Sequence, residues 1–139
     1  MTTIADIMTR SIATVQRDET LQAAARRMRE MDVGSLPVLD GKAVAGIVTD
    51  RDIAVRGVAE GMIPQESRVS DVMTADVRFC RGGDSVDQVM AEMGDLQVRR
   101  LPVLDANNEI VGIVALADMA TRQSADTDET LREISTPGR

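Results

Sequence analysis

Apolar positions recur at helical spacing in two stretches of the chain. They are Leu21, Ala24, Ala25, Met28 and Met31, and then Val86, Val89, Met90, Met93 and Leu96. Each set predicts an amphipathic helix whose stripe, methionines included, lies in the core. Thr20 and Ser85 stand where the N-caps should be, and Ser85 with Gln88 fits a capping box. Downstream of each helix comes "LPVLD", at residues 36–40 and 101–105, which reads as a strand entering a turn. The first copy turns at Asp40-Gly41 and returns through "AVAGIV", whereas the second has the longer turn "DANNE" before "IVGIV". Pro37 and Pro102 have no N–H to give to a ladder, which places them at a strand start or an edge.

These likenesses belong to one repeat. Asp6, Met8 and Thr9 return as Asp71, Met73 and Thr74, a shift of about 65 positions that also carries "VGSLPVLD" onto "VRRLPVLD". One residue is inserted in the following turn, after which "GIVTDRDIAVR" (46–56) corresponds to "GIVALADMATR" (112–122). Each copy reads as helix start, strand, helix, strand, turn, strand, helix. The expected fold is therefore α/β (α+β), with two βαββα-type repeats packed sheet to sheet about a pseudo-two-fold axis. The expected segments are a first repeat at 1–60, a linker at 61–69, a second repeat at 70–122 and a polar tail at 123–139.

Composition narrows the chemistry. The 139 residues suit one modest core, 43% are apolar, and no apolar run reaches the roughly 18 residues of a membrane span. No signal-peptide pattern opens the chain, and a cytoplasmic location is expected. A formal net charge of −7 disfavours a nucleic-acid partner, because phosphate binding depends on Lys and Arg displacing counterions. The absence of His excludes imidazole bases and imidazole metal ligands. Cys80 is the only cysteine, so neither an internal disulfide nor a CxxC pair exists, and it reads as a small apolar side chain on a strand. Gly82 and Gly83 resemble a phosphate loop only superficially, since no Gly-Lys-Ser/Thr follows, and they read as a turn before a helix.

Taken together, "DIMT…DVMT", the paired "LPVLD" strands and the paired "GIV…D" endings resemble a CBS domain pair, or Bateman module, over residues 4–122. The chain looks most like small stand-alone bacterial CBS-pair proteins of the hypoxic response type. The resemblance implies clefts that bind adenosine compounds: AMP, ADP or ATP, and in some members S-adenosylmethionine or NAD. It also implies that Asp52 and Asp118 accept hydrogen bonds from ribose hydroxyls, and that Thr49, replaced by Ala115 in the second copy, is a ribose or phosphate ligand. By the same resemblance each adenine slot is lined by the other copy. Val98, Leu101 and Pro102 would then serve the Asp52 site, and Val33, Leu36 and Pro37 the Asp118 site.

The residue chemistry is compatible with these roles. An ionised carboxylate only accepts, which suits a diol, and a hydroxyl or guanidinium can donate to phosphate. Arg51, Arg99 and Arg100 would equip the Asp52 site, while the second site, with Ser35, Leu116 and Ala117, would be weaker. Two plainer readings stay open: Asp52 and Asp118 as carboxylates at helix N-termini, and Arg99 with Arg100 as a solvated strand edge.

The function expected is a non-enzymatic sensor that takes AMP, ADP or ATP as a regulatory ligand, with neither a resident cofactor nor a metal, and signals to an unidentified regulated protein. The alternative is a ligand-free dimerisation module. A homodimer is expected through helical faces that include Ile53 and Met119.

Overall fold

The computed structural model describes residues 2–120. The expected tail at 123–139 lies outside the described residues, as do Thr121 and Arg122. In chain order the elements are α1 (Ile4–Ile7), β1 (Val15–Gln16), α2 (Leu21–Met31), β2 (Ser35–Asp40), β3 (Ala43–Thr49), β4 (Cys80–Arg81), α3 (Val86–Leu96), β5 (Arg100–Leu104) and β6 (Ile110–Ala115). A helix at 50–60 follows β3, and residues 116–120 are helical after β6. Two three-stranded sheets form, ordered β1-β2-β3 and β4-β5-β6. In each, a two-residue first strand pairs in parallel with the "LPVLD" strand: Val15 opposite Val38, and Cys80 opposite Val103.

The two long helices begin at their predicted N-caps, and of the Ser85–Gln88 capping box the Ser85 half is seen. Thr20 Oγ1 accepts from the Ala23 N–H at 3.1 Å and Ser85 Oγ from the Gln88 N–H at 3.2 Å. Both end on a left-handed residue, Asp32 and Gln97, whose backbone N–H turns back to the last helical turn. Leu21, Ala24 and Met28 are buried, as are Val86, Val89 and Met93. The stripes stop short of their predicted ends. Met31 and Leu96 keep 49% and 40% of their surface, because each is the last residue of its helix before the chain swings away, and mid-helix Ala25 is exposed at the edge of its stripe.

Pro37 departs from its expected place, since it lies inside β2, the middle strand of its sheet. Its cross-strand partner Ile47 uses its own N–H and C=O on Thr74, both at 2.9 Å, so nothing is asked of a Pro37 N–H on that side. β1 joins the other side only from Val38 onward.

The compact units are not the consecutive repeats. Among the described residues one consists of 2–10, 79–105 and 111–120, the other of 11–78 and 106–110. The first ten residues therefore fold with the second repeat. Ile4 joins the core of Val86, Val89, Met93, Val103 and Met119, and Thr9 and Ile113 exchange backbone hydrogen bonds of 2.8 and 2.9 Å. Reciprocally, the opening of the second repeat folds with the first. Val69 and Val72 join the core of Val15, Leu21, Met28, Leu36 and Val48, and Thr74 bridges Ile47. Each Met-Thr segment thus lies against the "GIV" strand of the opposite sequence copy.

The stretch expected as linker is held in place. The carbonyls of Ser67 and Pro64 accept from the N–H groups of Leu21 and Gln22, both at 3.0 Å, which satisfies donors at the start of α2 that the helix itself cannot.

Candidate functional site

The end of β3 and the start of the next helix share one tight arrangement. The Thr49 N–H donates to Asp52 Oδ2 and the Asp52 N–H donates to Thr49 Oγ1, each at 3.0 Å. This is a reciprocal cap of the capping-box type, and it fixes both side chains at the helix entrance. The Asp52 side chain keeps only 15% of its surface, and its second oxygen, Oδ1, stands 3.9 Å from Arg56 Nε. Thr49 Oγ1 accepts here, so its own hydrogen remains available for donation.

After this entrance the helix widens. Asp52–Gly57 is a π-helix, and Val58–Glu60 tightens to a 3-10 turn ending at Gly61, whose φ is 81°. Such wide turns are rare and are often found at functional sites. Gly57 is the tight point, because a Cβ there would come within 3.0 Å of Leu21 Cδ1.

Around this entrance stand the residues that precede and open β2. Ser35 pairs with Thr49 across the ladder, and the Asp50 N–H donates to the Gly34 carbonyl at 2.9 Å. Val33 is half-buried, while Leu36 and Pro37 are buried. The unit therefore brings Thr49, Arg51 and Asp52 together with Val33, Ser35, Leu36 and Pro37. Arg51 is exposed.

The other unit repeats the frame with different side chains. The Leu116 N–H donates to the Arg99 carbonyl at 2.7 Å, the counterpart of the Asp50–Gly34 bond. Val98, Arg99, Arg100, Leu101 and Pro102 belong to this unit together with Asp118. Leu101 and Pro102 are buried, Val98 is half-buried, and Arg99, Arg100, Ala117 and Asp118 are exposed. Ala115 has no hydroxyl, so the Thr49–Asp52 reciprocal bond has no equivalent in the second copy. The helix carboxylate and a structured entrance thus coexist at Asp52, whereas Asp118 is a surface carboxylate in a first helical turn.

Cys80 lies buried on β4 as expected, and burial, aided by the charges of Asp84 and Glu92, pushes its thiol up to about 12. Gly82 sits in the turn before α3, where its carbonyl accepts from the Ala5 N–H at 2.9 Å. The sequence reading missed Arg56. The signal was there, since both quoted phrases end in arginine, at Arg56 and Arg122.

Two CBS domain matches, over residues 4–57 and 69–125, span most of this frame, and the chain belongs to the CBS domain family. It is similar to CBS domain-containing protein YhcV of Bacillus subtilis, at 40% identity over 91% of this chain and 89% of that one. It is also similar to hypoxic response protein 1 of Mycobacterium tuberculosis, at 38% identity over 86% and 84%. Among solved structures, a protein with CBS domains from Burkholderia ambifaria superposes with TM-score 0.77 at 31% identity, over 99% of this chain and 100% of that one. A CBS domain pair solved with 5′-methylthioadenosine and S-adenosyl-L-methionine superposes with TM-score 0.79 at 24% identity, over 91% and 98%, which shows a common fold.

Proposed function

We propose that this chain is a non-enzymatic regulatory module that binds an adenosine nucleotide, AMP, ADP or ATP, and passes its occupancy to a protein partner in the cytoplasm. The observation that carries the reading is the Thr49–Asp52 entrance. A carboxylate held to one orientation, with Oδ1 beside a cation, is a ready acceptor for a ribose diol, and a threonine O–H three residues earlier can donate to ribose or phosphate. The ligands of the related CBS pair share the adenosyl group that such an entrance would hold, so S-adenosylmethionine and NAD remain the alternatives within the same reading.

The reciprocal cap also preorganises the site. Both side chains are already fixed, so less freedom is lost when a ligand arrives. Zinc does not fit these residues. The chain has no His, its one Cys is buried, and no group of three His, Cys, Asp or Glu side chains among the described residues could hold a metal.

A homodimer is part of the proposal, with its surface moved. Met119 is fully buried and Ile53 packs on its own unit's core, so neither offers the apolar face expected of them. Val55, Val58 and Ile63 are the large apolar side chains of that region that stay exposed, at 48%, 58% and 54%. Light scattering at micromolar concentration should give twice the chain mass, and Val58→Glu should halve it.

Titration calorimetry on nucleotide-stripped protein tests the ligand. AMP or ATP should bind, Asp52→Ala should abolish the heat, and Asp118→Ala should leave most of it. No heat with AMP, ADP, ATP, S-adenosylmethionine or NAD would leave the ligand-free interaction module as the better reading.

A further inference from the structure

Arg56 touches two things at once. Its Nε stands 3.9 Å from Asp52 Oδ1, and its Nη1 donates to the Val72 carbonyl at 3.4 Å. Val72 belongs to the segment that arrives from the second repeat and folds into the first repeat's unit, and two residues on Thr74 makes its paired bridge to Ile47. Asp52 Oδ2 accepts from the Thr49 N–H, and Oδ1, whose lone pairs are outside that bond, is the oxygen Arg56 faces. One guanidinium thus faces the candidate ligand anchor and the inserted segment.

We propose that Arg56 is a positioning residue that couples occupancy of Asp52 to the inserted segment 69–74. The proposal rests on the reading of Asp52 as a ribose anchor. A ribose hydroxyl arriving at Oδ1 shares that oxygen with Arg56 Nε and resets the guanidinium, whose Nη1 grips Val72. A forked donor can hold two acceptors at a fixed separation, which a lysine ammonium cannot do in the same geometry. The chain after Thr74 leads through 75–78 into the other unit, so a change of grip at Val72 has a covalent route onward. The widened turn at Asp52–Gly57 sets the path of the backbone between Asp52 and Arg56.

The test compares wild type, Arg56→Gln and Arg56→Lys by two readouts, AMP affinity from calorimetry and hydrogen exchange at the Thr74 and Ile47 amides. In the wild type AMP should change exchange at Thr74. Arg56→Gln should speed Thr74 exchange without ligand several-fold, weaken AMP by about tenfold, and erase the AMP effect on Thr74. Arg56→Lys should regain part of the affinity but not the exchange response. Thr74 exchange that is equal in wild type and Arg56→Gln, with and without AMP, overturns the coupling. If the wild type binds no AMP while Arg56→Gln still speeds Thr74 exchange, the ligand reading fails and the grip on Val72 stands.

Discussion

A Cβ on Gly46 would stand 2.6 Å from the Thr74 carbonyl oxygen, closer than two such atoms can approach. Gly112 is placed likewise against the first copy's segment, at 2.7 Å from Met8 Sδ and 3.0 Å from the Thr9 carbonyl oxygen. The glycine of each "GIV" and the Met-Thr of the opposite copy are therefore one structural motif written in two places.

Gly46→Ala should destabilise the fold by about 1–3 kcal/mol, the usual cost of forcing atoms into a packed site. Gly112→Ala should cost less, because its two nearest atoms, Sδ and Cγ of Met8, belong to a flexible side chain and the backbone Thr9 oxygen stands at 3.0 Å, whereas at Gly46 the nearest atom is backbone at 2.6 Å. Paired thermal melts check the order, and equal costs would contradict the reading.

Cutting between the sequence repeats should separate neither folding unit cleanly. A fragment of residues 1–68 lacks Val69 and Val72 from its core, and residues 69–139 lack Ile4. Each fragment alone should show little of the circular dichroism of the whole chain, and mixing should restore it. Independent folding of either fragment with the native melting temperature would refute this.

Glu19 and Arg27 make a paired contact of 3.1 Å, with Arg27 also donating to the Thr14 carbonyl at 2.7 Å. The Arg27 hydrogen bond, against some opposing desolvation and with help from the Gln16 N–H, holds the Glu19 carboxyl below its ordinary value of 4.5. A carboxyl lowered by folding contributes stability that is fully present above 4.5 and is lost as pH falls through its folded value. Both side chains are about one-third exposed, so the contribution should stay under about 1 kcal/mol. Glu19→Gln should flatten that part of the acid stability curve, and an unchanged curve below pH 4.5 would remove the pair from the account.

The Cys80 thiol, raised to about 12 and buried, should be inert to a disulfide reagent at pH 8 in the native protein and react fully in denaturant. Rapid labelling without unfolding would show that β4 opens locally.

Much of this was readable from periodicity. Thr20 and Ser85 cap the helices because a hydroxyl before an apolar stripe has an open N–H to accept from, and that is local chemistry. The ends of the stripes were not local. Met31 and Leu96 satisfy the helical spacing, but whether a last-turn side chain meets the core depends on where the chain goes next. The repeated Met-Thr segments were visible as letters, yet their exchange between copies was hidden, because similarity along a sequence carries no information on which copy packs with which. Thr49 and Asp52 were legible as a pair, whereas their mutual cap and the reach of Arg56 to Val72 required coordinates.

The exchanged Met-Thr segments also bear on descent. A single-repeat ancestor would have left its own "GIV" strand without a covering segment and its own Met-Thr without a strand, and two such chains could have completed each other by swapping. Joining the two genes end to end would then have turned a mutual loan between molecules into a permanent one within a single chain. The halves can then differ in their side chains, as Ala115 differs from Thr49 at the matching position, while neither completes a unit without the other.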